Sequence, residues 1–411
     1  MTDYDAVVIG GGPAGAVCGA RLASRGRSVL VLERGHHPRF HLGESLLPGS
    51  VPVLEAIGVL DEVRDRFMLK RGARFVQGAG GPDARTVRYA FAEAFHLKCD
   101  HAFQVPRDDF DQILFRRAGA CGAELREGVE ATRVVFEGDR AVGVEARSED
   151  GARHAFTARV VIDASGREAL MARADRAVER VTHLDRTALF TQVRGAWRDE
   201  GEREGDIQIV VFGEGAERGW FWLIPFRDGR TSVGAVVSSA WIRARHGLGG
   251  PEALFQAAVD ETPAVGVMLQ GAERLIPPGA TADFSFRVRT LRGHGWVVAG
   301  DAGGFIDPLF STGAHLAMHG GLLAADAIDT ALAAGDVNAE HLEAWERDLR
   351  AGTDLFLGAV QHFYGGDLVN YLFAEPQHPF LRRAITSMLS GYVFDDALWA
   401  RDMRTRFPAR A

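Results

Sequence analysis

Lysine is almost absent from this sequence. Of its 47 basic residues only Lys70 and Lys98 are lysines, and the remaining 45 are arginines. That bias runs through the whole chain, but guanidinium stays protonated and cannot replace an amine that must be neutral or nucleophilic. Either surviving lysine is therefore a candidate for chemistry. Cysteine is equally scarce: Cys18, Cys99 and Cys121 include no CxxC pair. They form no disulfide framework, which fits a reducing, cytoplasmic setting. No stretch of about 18 apolar residues is present, and Met1 leads almost directly into a strand without the segments of a signal peptide. Neither membrane spanning nor secretion is expected. A formal charge of -8, from 47 basic and 55 acidic residues, offers no basic stripe for a nucleic-acid backbone.

What is present is a large soluble core. The 411 residues are 46% hydrophobic and 25% charged, a composition far from disorder. Glycine, 49 residues, exceeds its usual share of ~7%. The sequence YDAVVI (4–9) predicts a buried parallel strand, and Gly10-Gly11-Gly12-Pro13-Ala14-Gly15 supplies G-x-G-x-x-G before an Ala-rich helix reaching about Ser24. SVLVLE then ends at Glu33, placed as a ribose-binding carboxylate. In that frame Gly10 makes the turn, Gly12 admits the pyrophosphate, and Gly15 lets helix and sheet close.

Two further strand ends repeat the theme. RVVID (159–163) closes on Asp163-Ala164-Ser165-Gly166. WVVA (296–299) closes on Gly300-Asp301-Ala302-Gly303-Gly304, with a helix expected near His315. Small residues with an aspartate at the carboxyl edge of a parallel sheet mark a ligand crevice. The late Gly-Asp points to FAD rather than NAD. No second G-x-G-x-x-G follows a strand, so a separate nicotinamide domain is not expected. Arg107, in VPRDDFDQIL, reads either as a phosphate or ribityl contact or as an ion pair with Asp108 or Asp111. Alternating runs such as DIQIVVF and TSVGAVVS predict an antiparallel sheet. The expected fold is α/β: a discontinuous Rossmann-like FAD-binding domain (1–70, 100–170, 285–345), a β-rich substrate domain (71–99, 171–284) and a mainly helical region (346–411). That last region reads as a lid, a wall or a plain packing unit.

GGGPAG (10–15), FHLGESLLP (40–48), MLKRGARF (68–75), GWFWLIPF (219–226) and GDAGGFIDPLFSTG (300–313) together resemble the flavin-dependent halogenases, within the aromatic-hydroxylase and geranylgeranyl-reductase-like FAD flavoproteins. The resemblance implies hypohalous acid formed from a flavin C4a-hydroperoxide and chloride or bromide, with FADH₂ and O₂ consumed. It places Lys70 at the family's catalytic lysine, as a hydrogen-bond donor to hypohalous acid or as a haloamine-forming neutral amine. The halide falls beside Thr312 and Gly313. Trp220 and Trp222, two apart on one strand, share a face and read as a wall between flavin and substrate or as core packing. Glu44 is expected to position the flavin-side loop or to transfer a proton. Cofactor contacts are expected from Gly10, Gly12, Pro13, Ala14, Gly15, Glu33 and Arg34. Others are expected from Ser45, Arg107, Asp163, Gly300, Asp301, Pro308 and Gly313.

Tryptophan-directed members typically carry Glu before the Ser-Thr-Gly of this loop. Here that residue is Phe310, which implies a phenolic, pyrrolic or polyketide-derived aromatic, free or tethered to an acyl carrier protein. A flavin reductase would supply FADH₂. A halide-independent monooxygenase or reductase/dehydrogenase of the same superfamily is the alternative, and a flavoprotein that chiefly binds a carrier-borne substrate is a third. The histidines His36, His37, His41, His315 and His319 lack the ligand spacing of a metal site, and Ser45 has no triad partners.

Overall fold

A computed structural model describes residues 3–77, 85–95, 97–181, 184–282, 284–394 and 397–410. Parts of the expected β-rich segments (78–84, 96, 182–183 and 283) and of the helical region (395–396 and 411) lie outside the described residues. The first sheet is parallel at its centre, in the order Glu124–Arg126, Val29–Leu32, Tyr4–Ile9, Arg153–Asp163 and Trp296–Val298. Continuous aliphatic runs form it because both faces are covered; Val29–Leu32 is buried throughout. Its register brings Ile9 level with Leu32 and Asp163, and Asp163 level with Val298. The three glycine-containing turns after Ile9, Asp163 and Ala299 therefore leave the sheet at one edge. An antiparallel arm, Val129–Glu137 with Arg140–Ser148, extends from the first half of Arg153–Asp163. The helix expected near His315 starts earlier, at Thr312, and runs to Ala334, because Ser311 takes the turn (φ 58°) that the chain needs to enter it.

The β-rich insertion centres on a second sheet. Its order is Glu273–Arg274, Arg186–Arg194, Arg230–Ser238, Gly219–Pro225, Ile207–Phe212, Gly72–Gln77 and Arg85–Ala90. All pairs are antiparallel except Ile207–Phe212 with Gly72–Gln77. Gly219–Pro225 is buried on both faces, and its side chains divide between two cores. Trp220, Trp222 and Ile224 join the large core shared with the first sheet and the 305–318 segment. Phe221 and Leu223 join a smaller core with Trp241, Phe255 and Val265. The period-two alternation of a strand thus turns both tryptophans toward the flavin-binding region.

The C-terminal region is helical, with Glu343–Gly365, Asp367–Leu372, Pro379–Leu389 and Leu398–Arg406. Much of it is buried. Phe356, Val360, Phe363 and Met388 are solvent-free and join the large core, so the region walls that core. Among the described residues no helix is long and apolar enough to cross a membrane.

Candidate active site

The dinucleotide cradle follows from backbone geometry. Gly10 has φ +99°, and a Cβ there would meet the Ala164 carbonyl; a Cβ on Gly15 would overlap the Gly10 carbonyl oxygen. Neither position admits a side chain. Gly12 differs: the nearest atom to a Cβ there is Arg39 Nη2, at 3.8 Å. That leaves open space at the head of the helix Pro13–Ser24, whose N-terminus favours phosphate. Glu33 Oε2 accepts from Gly11 N–H and Oε1 from Gly35 N–H, both at 2.9 Å. Burial opposes its ionisation, but Arg39 and these amides outweigh that and hold its pKa below the ordinary value. Arg39 itself pairs with Glu33 at 3.3 Å. Sequence reading overlooked it, because it stands in a loop six residues on with no motif of its own.

Other expected contacts sit as follows. Arg34 pairs with Glu168 at 3.2 Å on the surface, both more than half exposed. Arg107 forms the ion pair with Asp111, two parallel bonds of 2.7 and 2.9 Å, and donates a third to the Leu42 carbonyl at 2.7 Å. It braces the loop that enters Glu44. Asp163 spends both oxygens on the backbone amides of Ser165 and Met171. Gly300, Asp301, Thr312 and Gly313 line one cleft with Gly304 and Phe305. Burial pushes Asp301 up to about 6. Pro308 opens the short helical turn Pro308–Phe310.

Lys70 lies at the end of Met68–Lys70, which pairs with Ala102–Gln104, and Gln104 bridges to Ser45. This layering puts the lysine 1% exposed. Its Nζ donates to Ser45 Oγ and the Leu46 carbonyl, both at 2.9 Å. Burial pulls its pKa down to about 7 against the opposing pull of Asp206. Glu44, next in chain to Ser45, is also buried. Burial raises it to about 7, while Ser232, Arg107 and Gln192 work the other way. Its Oε2 accepts from Ser232 Oγ at 2.6 Å, and Ser232 Oγ accepts from Trp222 Nε1 at 3.1 Å. The Trp222 and Trp220 rings lie 5.8 Å apart. Trp220 Nε1 donates to Tyr364 Oη at 3.0 Å, and Tyr364 Oη donates to Asp307 Oδ2 at 2.9 Å. A line of contacts thus runs from Glu44 across both tryptophans to the loop at 307–313, and Lys70 joins it through Ser45, the neighbour of Glu44 in the chain.

The helix Thr312–Ala334 begins at the end of that line. Its cap residue Ser311 makes no side-chain hydrogen bond to the first turn, so no cap takes up the leading amides at the positive end of the helix dipole, and Thr312 and Gly313 line the cleft. His315 is committed elsewhere: it meets Ser50 Oγ at 3.1 Å and the Gly391 carbonyl at 3.0 Å. Burial and neighbouring His319 pull it down to about 3.

The two buried groups set opposite pH slopes. Glu44 has its folded pKa raised, so the stability it contributes is full below 4.5 and is lost as pH rises through about 7. Lys70 has its folded pKa depressed, so its burial penalty is full below about 7 and is relieved as pH rises toward 10.5. Thermal melts across this range should show Glu44→Gln flattening the acid-side slope and Lys70→Met the alkaline-side slope. Unchanged slopes in both variants would contradict these assignments.

Comparison with known proteins decides the family. The tryptophan halogenase family matches residues 84–366, and an NAD(P)-binding Rossmann-like domain matches residues 8–56. The chain belongs to the flavin-dependent halogenase family. It is 30% identical to a 1H-pyrrole-2-carbonyl-[peptidyl-carrier protein] brominase of Pseudoalteromonas luteoviolacea, over 96% of this chain and 94% of that one. It is 33% identical to a tryptophan 2-halogenase of Chondromyces crocatus, over 90% of this chain and 67% of that one. Among solved structures, the flavin-dependent brominase Bmp2 superposes with a TM-score of 0.87 at 27% identity, over 98% of each chain. A flavoprotein/dehydrogenase from Cytophaga hutchinsonii superposes at 0.89 and 30% identity, over 98% of this chain and 96% of that one. The halogenase is accordingly a flavin-dependent oxidoreductase with FAD as its cofactor, and the open space at Gly12 beside a buried acidic anchor fits that group.

Proposed function

We propose that this halogenase uses FADH₂, O₂ and chloride or bromide to halogenate an electron-rich aromatic, passing the halogen through Lys70. The observation that carries this reading is the line of contacts from Glu44, whose chain neighbour Ser45 holds the buried Lys70, across Trp220 and Trp222 to the 307–313 loop. Reduced flavin and O₂ supply the oxidising equivalent that turns halide into hypohalous acid. Gly10, Gly12, Pro13, Ala14 and Gly15 hold the pyrophosphate, with Glu33 and Gly300-Asp301 beside it. The amides of Thr312 and Gly313 orient the halide. Trp220 and Trp222, 1% and 5% exposed, keep the oxidising centre and the substrate apart.

Lys70 then acts as a neutral amine, a state its burial makes accessible near pH 7. Its Nζ lone pair takes the halogen as the halogen–oxygen bond breaks, and the ammonium proton leaves with the hydroxide as water. The aromatic ring attacks the N-halogen bond, loses its own proton, and returns the amine. Ser45 and the Leu46 carbonyl aim Nζ, and Glu44, held through Ser232 and Gln192, takes the ring proton and relays it to the nitrogen, which restores the amine.

Phe310, buried and edge-on to Phe363, supports a phenolic, pyrrolic or polyketide-derived substrate, free or on an acyl carrier protein, rather than tryptophan. Incubation with FADH₂, bromide and a panel of phenols, pyrroles, their carrier thioesters and tryptophan tests this. Bromination of the first classes is expected, and preferential bromination of tryptophan contradicts the assignment. The similarity to a flavoprotein/dehydrogenase favours a second reading, a halide-independent oxidation or reduction on the same scaffold.

A separate flavin reductase is the proposed electron source, since the sequence has no second nucleotide fingerprint. With NADPH alone, stopped-flow reduction of bound FAD should be slow, and an added reductase should restore turnover. Reduction at catalytic speed by NADPH alone would remove the reductase.

A further inference from the structure

Tyr364 lies near the end of Glu343–Gly365, in a stretch (QHFYGG) that reads from sequence only as large and apolar. Its phenol is buried and fully used. Indole N–H can only donate, so Trp220 Nε1 occupies an acceptor site on Tyr364 Oη at 3.0 Å. The phenol proton is thereby directed to Asp307 Oδ2 at 2.9 Å. The other oxygen of Asp307 accepts from Leu309 N–H at 2.9 Å, and Ser311 N–H donates to the Pro308 carbonyl at 3.0 Å. Those bonds shape the 307–311 turn, which ends in the left-handed Ser311 and delivers Thr312 and Gly313 as the first residues of the long helix.

Tyr364 is itself clamped. Arg218 Nη1 donates to its carbonyl at 2.7 Å, and the Arg186 guanidinium stacks 3.8 Å over its ring. Arg186 is 5% exposed and donates to the Arg218 carbonyl at 3.0 Å. Phenylalanine would fill the same space, so the hydroxyl is there for its direction.

We propose that Tyr364 is a positioning residue for the halide, holding the turn at Asp307–Ser311 so that the Thr312 and Gly313 amides converge on one anion. This rests on the halogenase reading above. A bromide titration of the FAD-loaded protein, followed by perturbation of the flavin absorption band, measures the site without turnover. Tyr364→Phe should weaken bromide about tenfold, the size of one lost buried hydrogen bond. FAD affinity should stay near wild type and Tm should fall modestly, because Trp220 Nε1 and Asp307 Oδ2 lose a buried partner; in turnover the loss should fall on KM for bromide more than on kcat. Asp307→Asn keeps the volume, turns one acceptor into a donor, and should shift bromide in the same direction; it serves if Tyr364→Phe does not fold. Unchanged bromide affinity in the variants, with normal wild-type binding, overturns the role of Tyr364 alone. So does a loss of FAD affinity as large as that for bromide, which marks a merely structural residue. Absence of any bromide response in the wild type overturns the halide site itself, and the halogenase reading with it.

Discussion

Lys70→Ala should abolish halogenation while leaving FAD bound and its reoxidation by O₂ intact. The amine is 1% exposed, its hydrogen bonds end on Ser45 and Leu46, and none reaches the glycine cradle. Cofactor affinity therefore has no dependence on it. The expected drop in halogenated product is at least about a hundredfold, the scale of losing a group that touches the reacting atom. Lys70→Arg should fail equally, because guanidinium keeps its proton and cannot carry the halogen. Lys70→Met separates chemistry from packing. It removes a cationic group whose burial is unfavourable at neutral pH, so it should keep or raise Tm while losing halogen transfer. Product yield by mass spectrometry, beside oxygen uptake and a melt, reads all three variants. Halogenation by Lys70→Ala at the wild-type rate would remove the lysine from the reaction.

Gly15→Ala and Gly12→Leu should both lose FAD, but only Gly15→Ala should also lose stability, although the two glycines stand three residues apart in one turn. A Cβ on Gly15 overlaps the Gly10 carbonyl and lies 3.0 Å from Val8 Cγ1. The helix must move off the sheet, at the upper end of the roughly 1–3 kcal/mol of an overpacked core. Low Tm and loss of FAD together are expected. A Cβ on Gly12 meets nothing nearer than Arg39 Nη2 at 3.8 Å, an ordinary contact, so Gly12→Leu should fold with Tm near wild type and yet exclude the pyrophosphate. Melts and FAD titrations of both proteins check this. FAD binding by Gly12→Leu at wild-type affinity would mean that the dinucleotide does not pass over this turn.

The cradle was legible in sequence because its determinants are local. Strand, G-x-G-x-x-G, helix and Glu33 occupy one short segment, and their spacing carries the geometry. The Trp220–Trp222 face was legible for the same reason, since alternation along a strand needs no distant partner. The bonds that turn these parts into a site join residues far apart. Ser232 reaches Glu44 across 188 positions, Trp220 reaches Tyr364 across 144, and Tyr364 reaches Asp307 across 57. No periodicity encodes such pairs. Arg107 shows the limit plainly: an aspartate four residues on is compatible with an ion pair or with two residues facing different partners, and only the fold selects the bidentate bond to Asp111. Lys70 was picked out by scarcity, yet scarcity says nothing of its burial, which comes from the layering of Met68–Lys70, Ala102–Gln104 and Ser45.

In the proposed reaction, oxidation passes through halide before it reaches the substrate. The most direct measurement gives the FAD-loaded protein an enzymatic supply of FADH₂, air and an electron-rich phenol or pyrrole, with and without bromide, and analyses the products by mass spectrometry. A product with the paired isotope pattern of bromine is expected when bromide is present, and no oxidised product when halide is withheld. A hydroxylated or desaturated product formed at the same rate without halide would contradict it.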